Sequence, residues 1–194
     1  MKKNIYAITA LLFITISCRK ETEVTPSFVS QSSQNMQSAA KHFIGEHFGG
    51  GIIFYLDQRG KHGLIAAALD FDEAAIWSWK DTLNGAKDTA LGAGALNTNR
   101  IVQIQGFPQF IEEYAALGCL QSIINGYQDW YLPSLSELNL MYQNKTIIGG
   151  FQNFSYWTSS ESDATKAWLI NFRDGSRFVQ VKTGGYSVRP IRRF

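Results

Sequence analysis

The sequence predicts a single α+β domain over residues 45–194, with mixed or antiparallel sheets and two or more helices. Three observations carry this reading. The 194 residues are 45% hydrophobic and 13% aromatic, enough for one full core. From Gly45 onward, dense aliphatic and aromatic runs alternate with turn signals. Those runs are strand-like first, helix-like next and strand-like again, an order that fits an α+β domain and not a doubly wound sheet.

The elements follow in order. Gly50–Asp57 (GGIIFYLD) and Leu64–Asp70 (LIAAALD) flank the turn Gln58-Arg59-Gly60-Lys61-His62-Gly63 and predict a hairpin. Phe107–Cys119 places Phe110, Ile111, Tyr114, Ala115 and Leu117 close to helical spacing behind Pro108. Trp130-Tyr131-Leu132 predicts a short strand running into Pro133. Ser134 with Glu137 three residues on is a capping box, and Leu135, Leu138, Met141 and Tyr142 give the next helix one apolar face. Strands are then expected at 156–160, 167–172, 177–182 and 186–194, with Arg173-Asp174-Gly175-Ser176 as a hairpin turn.

The first forty residues have a different texture. Met1-Lys2-Lys3-Asn4 is a short positive region, and the apolar run Ile5–Ser17 spans thirteen residues before Cys18. A membrane-spanning helix needs about 18–20 residues, so the run fits a secretory signal peptide over 1–17. Thr15-Ile16-Ser17-Cys18 looks like a bacterial lipobox, in which Cys18 is lipidated and becomes the first mature residue. Thr15 departs from the usual Leu, Val or Ile at the first position. Residues 18–44 then read as a lipidated, disordered tether, rich in Ser, Gln, Thr and Glu. Its charged opening, Arg19-Lys20-Glu21-Thr22-Glu23, resembles surface-export signals of some Gram-negative lipoproteins. The expected location is the cell envelope: an outer-membrane lipoprotein, surface-exposed, held to the membrane by its lipid anchor.

GGGIIFYLD, HGLIAA, the GYQDWYLPSLSEL block, SYWTSSE and the terminal SVRPIRRF occur in this order. Together they resemble the Lcl C-terminal domain family over about residues 46–194. The family is named for the end domain of a bacterial collagen-like adhesin. The resemblance implies a C-type-lectin-like fold, related also to formylglycine-generating enzymes, on secreted and surface proteins. The naming adhesin binds sulfated glycosaminoglycans. This chain lacks the collagen-like repeat, so that binding and the adhesin's trimerisation do not carry over automatically.

Enzyme signatures are missing from the sequence. It contains no Gly-x-Ser-x-Gly elbow, Walker loop, dinucleotide fingerprint or His-Glu-x-x-His stretch. His42, His47 and His62 lie in the tether or a turn, without the fixed spacing of a zinc motif. The formylglycine-generating relatives need a cysteine pair, whereas Cys119 is the one thiol outside the lipobox and sits in an apolar stretch, as a small hydrophobe would. Calcium-dependent lectin motifs do not fit around Pro26, Pro108, Pro133 or Pro190. Asp70-Phe71-Asp72-Glu73 reads as a solvated loop without the glycine of a calcium loop, and Glu112 and Glu113 point about 100° apart on a helix. No cofactor, no metal, no catalysis and no nucleic-acid partner are therefore expected. Asp81-Thr82-Leu83 and Asp88-Thr89-Ala90 match a three-residue O-glycosylation acceptor found in some Gram-negative bacteria.

Trp130 and Trp157 alternate with apolar neighbours and read as core. Trp77-Ser78-Trp79, if extended, sets two indoles on one side, suited to stacking on a sugar or to closing a core edge. The charge distribution is more informative. Residues 46–163 carry a net −7 and residues 164–194 a net +6. Arg173, Arg177, Arg189 and Arg193 are the expected ligand-binding residues, since planar guanidinium groups suit sulfate and carboxylate. Two outcomes stay open: the arginines form a surface patch for a glycan or polyanion, or they pair internally with carboxylates such as Asp129 or Glu137. The function class expected is a ligand-binding, adhesin-like module; the alternative is a structural or partner-docking subunit of a surface or fimbria-like assembly, with an envelope protein as partner.

Overall fold

The computed structural model describes residues 41–108 and 113–194. In chain order they form β1 (His47–Phe48), β2 (Gly51–Leu56), β3 (Gly63–Ala66), β4 (Asp72–Ala75), α1 (Gly94–Gln105), α2 (Ala115–Gln121), α3 (Leu135–Gln143) and α4 (Lys145–Ile148). The chain continues through β5 (Ser155–Glu161), β6 (Lys166–Asn171), β7 (Arg177–Val181), β8 (Tyr186–Val188) and β9 (Ile191–Arg193). One sheet has the order β1-β2-β3-β9 and is antiparallel throughout. The other has the order β4-β8-β5-β6-β7, antiparallel except for the parallel pair β5 and β8. This is the α+β class the sequence predicts.

Period-2 alternation sets the layers. On β5 and β6, Trp157 and Leu169 face one cluster with Trp77, Ile101 and Val188, while Tyr156 and Ile170 face another with Phe54, Leu138 and Met141. Both strands are buried on two faces, which explains their nearly continuous apolar runs. The apolar side of α3 fills the space between the two sheets. Its start is the expected capping box: Ser134 Oγ accepts from Glu137 N (3.3 Å), and Glu137 Oε2 accepts from Ser134 N (2.8 Å).

Several elements differ from expectation. The predicted terminal strand at 186–194 is two strands. Pro190 interrupts it, so β8 pairs in the second sheet and β9 crosses to β3 in the first. Trp130-Tyr131-Leu132 forms only a single bridge, Tyr131 to Ile191. The helix expected from Phe107 is not helical at Phe107-Pro108; α2 begins after Tyr114, which is extended and caps it, and residues 109–112 lie outside the described residues. Helix α1 has no sequence counterpart. Its inward face is Gly94, Asn97, Thr98, Ile101, Val102 and Gln105, half of it polar, so no apolar periodicity announces it. Gly94 is required there, because a side chain would run into Glu137 Oε2.

Candidate functional site

The expected arginine patch does not assemble. Arg189 is wholly buried, which corrects its reading as a surface ligand residue. Its Nε meets Asp70 Oδ1 at 2.5 Å, Nη1 donates to the carbonyls of Ala67 and Ala68, and Nη2 donates to Gly150 O (2.7 Å). Phe151 stacks on the guanidinium at 4.2 Å, and Tyr156 Oη donates to Asp70 Oδ2 at 2.8 Å. The Asp70 carboxylate is therefore an internal counter-ion and not part of a solvated loop. Pairing inside the fold won here, since a buried guanidinium is stable only when each donor finds an acceptor.

The same outcome repeats along β9. Arg192 makes a two-pronged pair with Asp129 (2.6 and 2.8 Å) and lies over the Tyr127 ring. The hydrogen bond from Arg192 holds the Asp129 carboxyl below its usual range, against partial burial. Arg193 is half exposed, bonds Tyr131 Oη and the Gly92 carbonyl, and stands 3.9 Å from Glu137 Oε1. Arg173 and Arg177 remain exposed at the β6–β7 turn, with Arg177 donating to Asn139 Oδ1 (2.6 Å). Glu137 and Asn139 are two positions apart on α3, about 200° around the helix. Arg193 and Arg177 therefore lie against different sides of α3, and the four residues do not converge.

Lys182, from the same basic segment, is also used internally. It is wholly buried, 2.7 Å from the equally buried Glu161, and its remaining protons reach Thr82 O and Ala164 O, both at 2.9 Å. Sequence reasoning missed this pair because nothing local links positions 21 apart.

Other sequence candidates also resolve into structure. Trp130 and Trp157 are fully buried, as expected. Trp77 is buried too, donating to Thr158 O (2.7 Å), and Trp79 lies half-buried beneath Lys80, so the two indoles do not form an open platform. Cys119 is buried, and that burial pushes its thiol far above the ordinary range, leaving it unreactive. His47 and His62 are exposed, and among the described residues no three His, Cys, Asp or Glu side chains gather at one point. Cys18 and Glu112 lie outside the described residues.

The feature with ligand-like chemistry is a groove of about 410 Å³ beside the parallel pair. It is lined by Glu73 of β4, Asn153, Phe154 and Ser155 before and at the start of β5, and Tyr186 and Ser187 of β8. Pairing of Tyr156 with Ser187 and of Ala75 with Tyr186 brings these three segments together. The Phe154 ring is 53% exposed, whereas Tyr186 is fixed edge-on by Trp157 at 5.0 Å. Phe172 N binds the Phe154 carbonyl (2.8 Å) and holds the backbone below the exposed ring. Among the described residues, the side chains of Glu73, Asn153 and Ser155 have no hydrogen-bond partner. A carboxylate, an amide and a hydroxyl thus face solvent beside an aromatic face. The one sequence sign was Gln152-Asn153-Phe154-Ser155, a polar run holding an apolar ring; nothing tied it to Glu73.

Asn153 also lines a second hollow of about 260 Å³, with Lys145, Thr146 and Gln152.

Residues 69–192 match the Lcl C-terminal domain. No curated protein matches the chain significantly. The match begins after the first hairpin, which the sequence reading placed inside the resemblance and which β9 ties into the same fold. Since the match spans well over half of the 194 residues and contains both the groove and the buried arginine pairs, the chain belongs to the Lcl C-terminal domain family.

Proposed function

We propose that the protein is a non-catalytic lipoprotein of the cell envelope whose domain binds an uncharged glycan in the groove between β4, β5 and β8. The groove carries this reading. Aromatic faces pack on the C–H face of a sugar ring, while amide, hydroxyl and carboxylate groups accept and donate to its hydroxyls. The groove's own charge is the carboxylate of Glu73, which opposes an anionic ligand, and Lys182, Arg189 and Arg192 of the basic segment are held in internal pairs. Non-catalysis is supported by how the buried reactive groups are used: Asp70, Glu137 and Glu161 are committed to pairs and backbone amides. The signal peptide, Cys18 anchor and tether support placement at the membrane, with outer-membrane surface display as the expected address.

Two measurements test this. The chain from residue 19 onward should retain neutral glycans on an array, with Asn153→Ala and Phe154→Ala each weakening retention about tenfold, near one lost stacking or polar contact. Retention confined to sulfated glycans would overturn the groove and restore the basic residues. Cys18→Ser should abolish lipid incorporation and processing before residue 18, read by mass spectrometry of the mature N-terminus.

A second reading, a partner-docking subunit, draws on β7. It is an outermost strand, paired in unbroken register with β6 and lacking a bulge or proline, unlike the bulged and acidic β4 on the opposite edge. A photo-crosslinker at Gln180 that captures one envelope protein in cells, with loss on Val179→Pro, would favour it.

A further inference from the structure

We propose that the end of the domain carrying Phe43, Ile44 and Phe48 docks on the bilayer that bears the lipid anchor; this rests on the lipoprotein reading above. The chain enters the described structure at Lys41 and immediately exposes apolar surface. Phe43 is 64% exposed, and Ile44, Phe48 and Ile147 are exposed beside it. Phe43, Ile44 and Phe48 lie within six residues of chain. Gly45 approaches Ile147 so closely that a side chain there would touch its Cγ2, and the Phe48 ring packs on His42, which also meets Phe194.

Three cations, Lys41, Arg59 and Lys61, stand at this end against the carboxylates of Glu46 and Asp57. The Lys41 side chain lies along Gly60, in the turn that also carries Arg59 and Lys61. Both carboxylates accept hydrogen bonds from neighbouring groups. Glu46 accepts from His42 Nδ1 (3.0 Å) and Phe43 N (3.2 Å), and Asp57 accepts from the backbone of Lys61 (3.0 Å). Apolar rings with outward cations match a bilayer interface with anionic headgroups, where rings enter the acyl boundary and each Lys or Arg gains from the surface potential.

Tether length makes weak docking sufficient. Twenty-two residues separate Cys18 from Lys41. A random-coil peptide of 22 residues has a root-mean-square reach of about 23–28 Å. The domain then sees its own membrane at an effective concentration of order millimolar. An affinity too low to recruit the free domain efficiently would still orient the anchored one.

The test uses the unlipidated chain from residue 19 onward with vesicles of phosphatidylethanolamine and phosphatidylglycerol, read by co-sedimentation. Binding is expected, reduced about tenfold by Phe43→Asp and about fivefold by Lys61→Gln, with further loss in high salt. Both positions are exposed, and an unchanged thermal midpoint confirms that each variant folds. Hydrogen exchange of residues 41–48 should slow on vesicles in the wild type. No binding at any lipid concentration, or binding untouched by Phe43→Asp, overturns the docking surface even where the mature N-terminus proves to be lipidated Cys18. Binding that responds to both substitutions, alongside an unlipidated mature N-terminus, sinks the anchor and leaves the surface standing.

Discussion

Lys182 and Glu161 show at single-residue scale what the domain does with its charge. Burial alone would raise the Glu161 carboxyl. The hydrogen bond from Lys182 and those from the Asn84 backbone and side chain outweigh it and hold the group below its ordinary 4.5. Removing one partner leaves the other charge stranded, so Lys182→Met should cost about 3–5 kcal/mol by urea denaturation. Lys182→Met combined with Glu161→Gln should cost less than the single change, because the introduced amide carries no charge and its oxygen still accepts from Asn84 or Gly85. A pH consequence follows from the lowered value. The unfolded chain takes up the Glu161 proton at higher pH than the folded one, so the stability it contributes is present above about pH 4.5 and lost as pH falls toward the lower folded value. Glu161→Gln should flatten the stability profile in that acidic window. The polarity of the sequence, acidic before residue 164 and basic after it, was legible, as were Asp129 and Glu137 as internal carboxylates, which meet Arg192 and Arg193; the other two pairs were not. Asp70 with Arg189 and Glu161 with Lys182 are separated by 119 and 21 positions, and only sheet order joins them.

At the scale of elements, the strongest local signals were those in which one short segment satisfies its own backbone. The Ser134 capping box closes within four residues, and the helix it predicts is α3. In the fold the cap does more. Ser134 Oγ also donates to Ala90 O (2.7 Å), and Glu137 Oε1 accepts from Gly92 N (3.0 Å), so the cap fastens the loop before α1. Ser134→Ala should therefore lower stability by about 1–2 kcal/mol, the upper part of the range for a lost cap. A denaturation midpoint equal to wild type would show that neither bond contributes. Signals failed where an element is buried through polar side chains. Asn97, Thr98 and Gln105 carry the inner face of α1, with Thr98 Oγ1 accepting from Leu132 N (3.1 Å) and Gln105 joining Asn84 and Lys80. Hydrogen bonds of that kind follow from the neighbours and leave no period in the sequence. Strand β4 was hidden for a related reason, since Asp72 and Glu73 face outward on a sheet edge and resemble a loop. The groove inherits this opacity, having one wall on β4.

The whole molecule protects what it buries, and Cys119 reports on it. Its thiol lies in the cluster of Trp77, Tyr114 and Trp157, out of reach of reagents in the native state. Labelling by a thiol reagent should proceed at the rate of global opening and accelerate through the urea transition. Rapid labelling in native buffer would instead reveal local release of α2. The α+β class with more than one sheet was readable because strand, helix and strand textures follow one another in blocks, but the passage of the last strand from one sheet to the other was not, since one proline redirects it. That redirection couples the two sheets. Leu64 pairs with Arg193, and Tyr131 with Ile191. Without residues 191–193 the first sheet is the β2–β3 hairpin with the two-residue β1 at its edge, a unit marginal in water. Closing so long a loop is slow, because its entropy must be lost before any contact rewards it. The first sheet is thus completed only once the chain beyond β8 is in place. Strands β8 and β9 close the two sheets within eight residues of one another, so the sheets are completed together and not in turn.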